Sequence, residues 1–261
     1  MGSPHVGTVA HRGDSHRTLS LTVIQLQAPG RIQNSQVALY LAYSTPRRPA
    51  AIERELYVPR SWTEDTVRCR VAGIPDTVGF ATKPALAVRM VGRALEAGVP
   101  ASWVAGDDVY GGNPYLRTAL EGRGIGYALA VVCDHQITTC GGKFRADAVV
   151  KKLPNRAWRK LSADAGAKGD RFYDSALADI ADDRPGHRRL LVRRNRSSGE
   201  LSFCRSYSAA RAPLVTLVEV AGRRWAVEET FQSSKGLAGL EGVQVIWMCT
   251  VELILLTPPG P

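Results

Sequence analysis

Ser102-Trp103-Val104-Ala105-Gly106-Asp107-Asp108-Val109-Tyr110-Gly111-Gly112 is a short apolar run that stops at two acids and a glycine turn. The apolar residues predict a buried strand. A helix predicted over Pro114 to Glu121 and a strand over Gly126 to Val132 follow it. Strand, loop, helix and strand in this order are the pattern of an α/β sheet built with crossovers. Asp107 falls at the carboxyl end of the first strand, the edge where the sites of α/β proteins gather. An Asx turn closing the strand also accounts for an Asp in such a place. Asp108 has a competing role as a cap of the loop, and Asp107 is preferred as the functional acid because it comes first after the strand.

Upstream, Val37, Leu39, Leu41 and Tyr43 alternate with other residues over Gln36 to Tyr43 and predict a half-buried strand, which Pro46 to Pro49 breaks. Leu19 to Leu26 makes one short strand in an otherwise irregular opening, and Glu55 to Trp62 begins extended and ends in a loop. Asp65 to Arg70 predicts a brief helix. Pro84 sits as a first helical residue, with Leu86, Met90, Val91 and Leu95 at helical spacing until Gly98.

Downstream, Cys133 to Pro185 loses its period and predicts loops and short elements. Lys143, Arg145, Lys151, Lys152, Arg156, Arg159 and Lys160 crowd around Trp158, a pattern that suits either a phosphate-binding surface or a solvated charged face. His187 to Arg194 and Leu201 to Ser206 predict a hairpin about Ser197-Ser198-Gly199, with Arg clustered on its outer face. Pro213 to Lys235 reads as helical, with Leu214, Leu217 and Val218 as an inner stripe interrupted at Gly222.

With 261 residues and 44% apolar content the chain has enough material for a real core. A net charge of +10 favours a polyanionic partner, nucleic acid ahead of a membrane surface. Seven of the 34 basic residues are Lys; the Arg excess suits phosphate contact but fits a coding bias better. Cys69, Cys133, Cys140, Cys204 and Cys249 are odd in number and lack metal-finger spacing, as expected for reduced thiols in a cytoplasmic protein. Cys133-Asp134-His135 with Cys140 matches no zinc pattern either. No signal peptide is evident, and the apolar run from Val243 to Leu256 is too short to span a membrane and contains Glu252.

Gly222-Arg223-Arg224-Trp225-Ala226-Val227-Glu228-Glu229-Thr230-Phe231, with Lys235 beyond, sets Arg224, Glu228 and Lys235 on one face of a predicted helix. This resembles the Arg-Glu-Lys part of the Tyr-Arg-Glu-Lys signature of bacterial insertion-sequence DDE transposases, with Ala221 in the Tyr place. Added resemblance comes from Gly30-Arg31-Ile32-Gln33-Asn34-Ser35-Gln36-Val37, Arg54-Glu55-Leu56-Tyr57-Val58-Pro59-Arg60-Ser61-Trp62 and Phe80-Ala81-Thr82-Lys83-Pro84. The joint order of these motifs is far more specific than any one of them.

The resemblance implies an α/β fold: a ribonuclease-H-like mixed sheet with flanking helices and a basic, partly β insertion. It spans a catalytic domain over 30–244, with the insertion at about 133–212, an atypical segment 1–29 and an atypical apolar tail 245–261. Asp107 then matches the second catalytic Asp and Glu228 the catalytic Glu, both as ligands of Mg²⁺ or Mn²⁺, with Glu229 an alternative acid. Arg224 and Lys235 contact DNA phosphates or orient Glu228. The implied partner is DNA, as element ends and target, with a homodimer as a further expectation and no membrane. The first catalytic Asp of such enzymes lies on an early apolar strand, whereas the only carboxylate before Glu53 is Asp14, in turn-like, cationic surroundings. The expectation is a remnant truncated at both ends, with an exposed sheet edge where an early strand is missing and with impaired or no activity. A non-catalytic DNA-binding remnant is the alternative. A glycosidase using Asp107 and Glu228 is disfavoured by the positive charge.

Overall fold

The computed structural model describes residues 25–28, 31–34, 37–44, 49–166, 169–224 and 251–256. Thirteen strands are formed there: β1 (Gln25–Ala28), β2 (Arg31–Asn34), β3 (Val37–Ser44), β4 (Pro49–Tyr57), β5 (Trp103–Gly106), β6 (Gly126–Val131), β7 (Gln136–Thr139), β8 (Gly142–Arg145), β9 (Arg159–Gly166), β10 (Gly169–Asp179), β11 (His187–Asn195), β12 (Leu201–Ser208) and β13 (Val251–Leu256). Helices α1 (Arg60–Thr63), α2 (Thr66–Val71), α3 (Lys83–Glu96), α4 (Asp108–Gly111), α5 (Pro114–Gly122) and α6 (Ala146–Val150) are followed by α7 over 214–224. Nine strands form one mixed sheet in the order β4-β3-β13-β5-β6-β12-β11-β10-β9, and β1-β2 and β7-β8 are separate two-stranded pairs. The architecture is the mixed α/β sheet with flanking helices expected of a ribonuclease-H-like DDE fold.

The alternation of side chains along the strands sorts the core into two faces. Leu39, Leu41, Val104, Tyr127 and Leu129 point to the side covered by α3 and α5, which bury Leu86, Ala87, Met90, Val91, Leu116 and Leu120 against them. Ala42, Trp103, Ala105, Ala128, Leu191 and Cys204 point to the other side, under Leu217, Val218, Val220 and Ala221 of α7. The helix runs on through Gly222 rather than stopping there, because its buried stripe continues to Ala221.

Local chemistry explains where the elements start. Thr82 accepts a hydrogen bond at Oγ1 from the Ala85 N–H at 3.3 Å, and Pro84 occupies the first turn of α3. Asn113 caps α5 in the same way through Leu116 N–H at 3.0 Å, and Asp65 caps α2 through Arg68 N–H. Arg93 of α3 donates to both Glu53 and Glu55, fastening that helix to β4.

Two expectations are corrected. The stretch 133–185 is not merely loops, for β9 and β10 are long antiparallel strands that extend the main sheet beyond β11. The Arg residues of the β11–β12 hairpin are not all on an outer face: Arg188, Arg189 and Arg193 are buried, Arg188 paired with Glu121 and Arg189 donating to the Ala212 carbonyl. Arg193 stacks over Tyr173. Within the sheet, β13 from the apolar tail pairs in parallel with β3 and antiparallel with β5.

Gly111 packs so tightly on β6 that a Cβ would meet the Ala130 carbonyl oxygen at 1.8 Å. Gly111→Ala is expected to destabilise the fold by about 3 kcal/mol through overpacking against unyielding backbone, read as a lower midpoint in urea unfolding at unchanged slope.

Candidate active site at the carboxyl edge of the sheet

Asp107 stands immediately after β5, and its geometry follows from the local sequence. The strand ends when Asp107 turns its carboxylate back to accept the Val109 N–H at 3.0 Å, making it the N-cap of α4. The Asx turn and the strand-end acid are therefore one residue in two roles. Asp108, the other candidate for the cap, lies in the first turn of α4 and is exposed.

Asp107 is half-buried. Burial raises its pKa above the ordinary carboxylate value; the Val109 hydrogen bond opposes this, the neighbouring Asp108 charge adds to it, and Arg224 and Lys83 oppose it. Two cations thus lie within electrostatic reach of the acid, from elements on both faces of the sheet. Arg224 ends the described part of α7, and Lys83 begins α3. Arg224 also acts on Cys204, whose thiol is pushed up by burial.

The structure brings Arg224 within electrostatic reach of Asp107. Glu228 and Lys235 lie outside the described residues. Two positions carried no role in the sequence reading. Lys83 sits within the quoted Phe80-to-Pro84 motif, so that motif was the signal. Glu252 lies in β13, where Ile254 pairs with Ala105 and Leu255 with Val104.

Oxygen donors suit Mg²⁺ or Mn²⁺. A half-buried carboxylate whose ionised form is penalised by desolvation is chemically fitted to such a cation. Among the described residues, no group of three or more His, Cys, Asp or Glu side chains is gathered, so Asp107 by itself is a partial fit and further ligands must come from elsewhere. His135, between Cys133 and Cys140 in the chain, contacts Arg205 at 3.3 Å.

Compared with known families, the sequence matches DDE superfamily endonuclease over residues 8–154, more than half of the chain. The chain belongs to the DDE superfamily endonucleases. No curated protein and no solved structure matches it. The match to the DDE endonucleases takes in β1 through α6 and includes Asp107 and Lys83, while Arg224 and Glu252 lie beyond it. No helix of the described residues is long and apolar enough to cross a membrane.

The raised pKa of Asp107 has a defined sign. Folding favours its protonated form, so its contribution is most favourable below the ordinary Asp range and is lost as pH rises through the folded-state pKa. Asp107→Asn keeps an oxygen for the Val109 N–H and removes the penalised charge. Thermal unfolding in the absence of divalent ions is expected to give a higher Tm for this variant at neutral pH, with the gain disappearing toward pH 3.

Proposed function

We propose that this DDE endonuclease domain acts on DNA as a transposase of the insertion-sequence type, cutting a phosphodiester and transferring the freed end. The observation that carries this reading is Asp107 at the end of β5, half-buried and flanked by Arg224 and Lys83. Cations on both sides of an acid suit a phosphate group drawn to the same edge, and Arg presents a planar fork to phosphate oxygens.

In this reading Asp107 and Glu228 would hold Mg²⁺ or Mn²⁺. A bound divalent cation supplies charge stabilisation at the scissile phosphate and activation of the attacking oxygen. Arg224 and Lys235 grip the backbone phosphates and orient them. Lys83 offsets the negative charge that gathers when phosphate approaches Asp107.

The test is cleavage of duplex DNA carrying the element's terminal repeats, with Mn²⁺ present. The expected outcome is metal-dependent nicking that falls about 10³-fold or more in Asp107→Asn and Glu228→Gln, since ligands acting as a unit are costly to lose. Equal cleavage by wild type and both variants would overturn the site assignment. A second reading, a DNA-binding remnant without chemistry, is favoured by the lack of a three-carboxylate group among the described residues. It predicts salt-sensitive binding to duplex DNA and no cleavage at all.

A further inference from the structure

The α3/α5 side of the sheet carries a polar cluster that the proposed cleavage site does not use. Arg117 of α5, Arg188 of β11, Arg205 of β12 and Arg184 meet there with Glu121 and Asp182. The two carboxylates are committed to two of the four guanidiniums. Glu121 accepts from Tyr127 Oη–H at 2.7 Å and from Arg188 at 2.7 Å, and it pairs with Arg184 at 3.0 Å. Asp182 binds Arg184 at 2.7 Å and Arg188 at 3.4 Å.

Arg117 and Arg205 are left over. Neither forms an ion pair with the described residues. Arg117 Nη1 donates to the Gly111 carbonyl at 2.5 Å. Arg205 Nη1 lies 3.3 Å from His135 Nε2, and Arg205 Nε is buried without a hydrogen-bond partner. All three side chains are half-buried. Burial works against the Arg117 charge, Arg205 is the next largest influence in the same direction, and Tyr127 and Glu121 oppose them with smaller effect while Arg184 adds to them. Burial likewise lowers the His135 pKa, followed by Arg205 and then Arg117, with Asp134 a smaller opposing charge.

Two guanidiniums that repel each other while partly withdrawn from water are costly unless a counter-charge joins them. Tetrahedral oxyanions match a guanidinium fork, and His135 adds a ring nitrogen beside it. The location points to the source of the anion. Arg117 is tied to the last residue of α4, the helix that Asp107 caps, and His135 follows β6, the immediate neighbour of β5. A nucleic acid lying along the strand ends at Asp107 therefore runs toward this cluster.

We propose that Arg117, Arg205 and His135 form a phosphate-binding subsite that holds a backbone phosphate of the DNA, away from the scissile bond. The DNA source rests on the endonuclease reading above; the anion chemistry does not. The experiment uses the full chain, wild type against Arg205→Gln and Arg205→Lys, with two probes. Inorganic phosphate is expected to raise the Tm of wild type, to have little effect on Arg205→Gln, and to have an intermediate effect on Arg205→Lys, which keeps the charge without the fork. In buffer without multivalent anions, Arg205→Gln is expected to melt no lower than wild type, since it removes the repulsion with Arg117; this separates a binding role from a structural one. For duplex DNA, the slope of log affinity against log salt is expected to fall by about 0.9 in Arg205→Gln, the value for one fewer phosphate neutralised.

An Arg205→Gln variant that retains the wild-type phosphate shift and salt slope overturns the subsite. Loss of the phosphate shift with an unchanged DNA slope overturns the assignment to the DNA backbone. Cleavage of terminal-repeat DNA by the wild-type chain, measured alongside, reports the endonuclease reading separately, because the phosphate-induced Tm shift does not depend on it.

Discussion

The contact between Gly111 and the backbone of β6 holds the functional edge of this molecule in place. Because nothing larger than hydrogen fits beside the Ala130 carbonyl, α4 lies directly on the strand. One end of that four-residue helix is capped by Asp107, and the other receives the Arg117 guanidinium on the Gly111 carbonyl. Tyr110 is buried between them. A single short turn thereby fixes the acid, the strand end and the start of the basic cluster relative to one another, and its rigidity comes from backbone sterics rather than from any strong bond.

The two faces of the sheet are built differently. On the α3/α5 side, large residues such as Tyr127, Leu129 and Met90 fill the space. On the α7 side, the strands present Ala42, Ala105 and Ala128. Small side chains on β3, β5 and β6 leave room for a helix to approach closely, and the described part of this helix ends at Arg224, within electrostatic reach of Asp107. The chemistry at the edge is thus a consequence of how little the strands project beneath α7.

Much of this was legible in the chain. The strand before Asp107, the helices α3 and α5 and the β11–β12 hairpin with Gly199 at φ +73° all follow from local periodicity and turn chemistry, which act over a few residues. The parts that were not legible depend on distant neighbours. Arg188 and Arg189 look like surface residues until Glu121 and the Ala212 carbonyl are brought to them. The strands β9 and β10 are rich in charge, and cations of β9 and of the adjoining β11 rest on aromatic rings, Lys160 on Phe172 at 4.4 Å and Arg194 on Trp158 at 4.5 Å. A polar strand stabilised by its neighbours has no apolar rhythm to betray it. The exposed tract from Lys143 to Lys160 reads as charged from sequence and is charged in space.

The placement of β13 has a kinetic meaning. Val251 lies opposite Leu39, more than two hundred positions earlier in the chain. Closing so long a loop is entropically slow, and non-local strand pairing of this sort lengthens the time to the native state. During synthesis, β3 and β5 leave the ribosome well before the strand that joins them, so their facing rims wait with unmet hydrogen bonds.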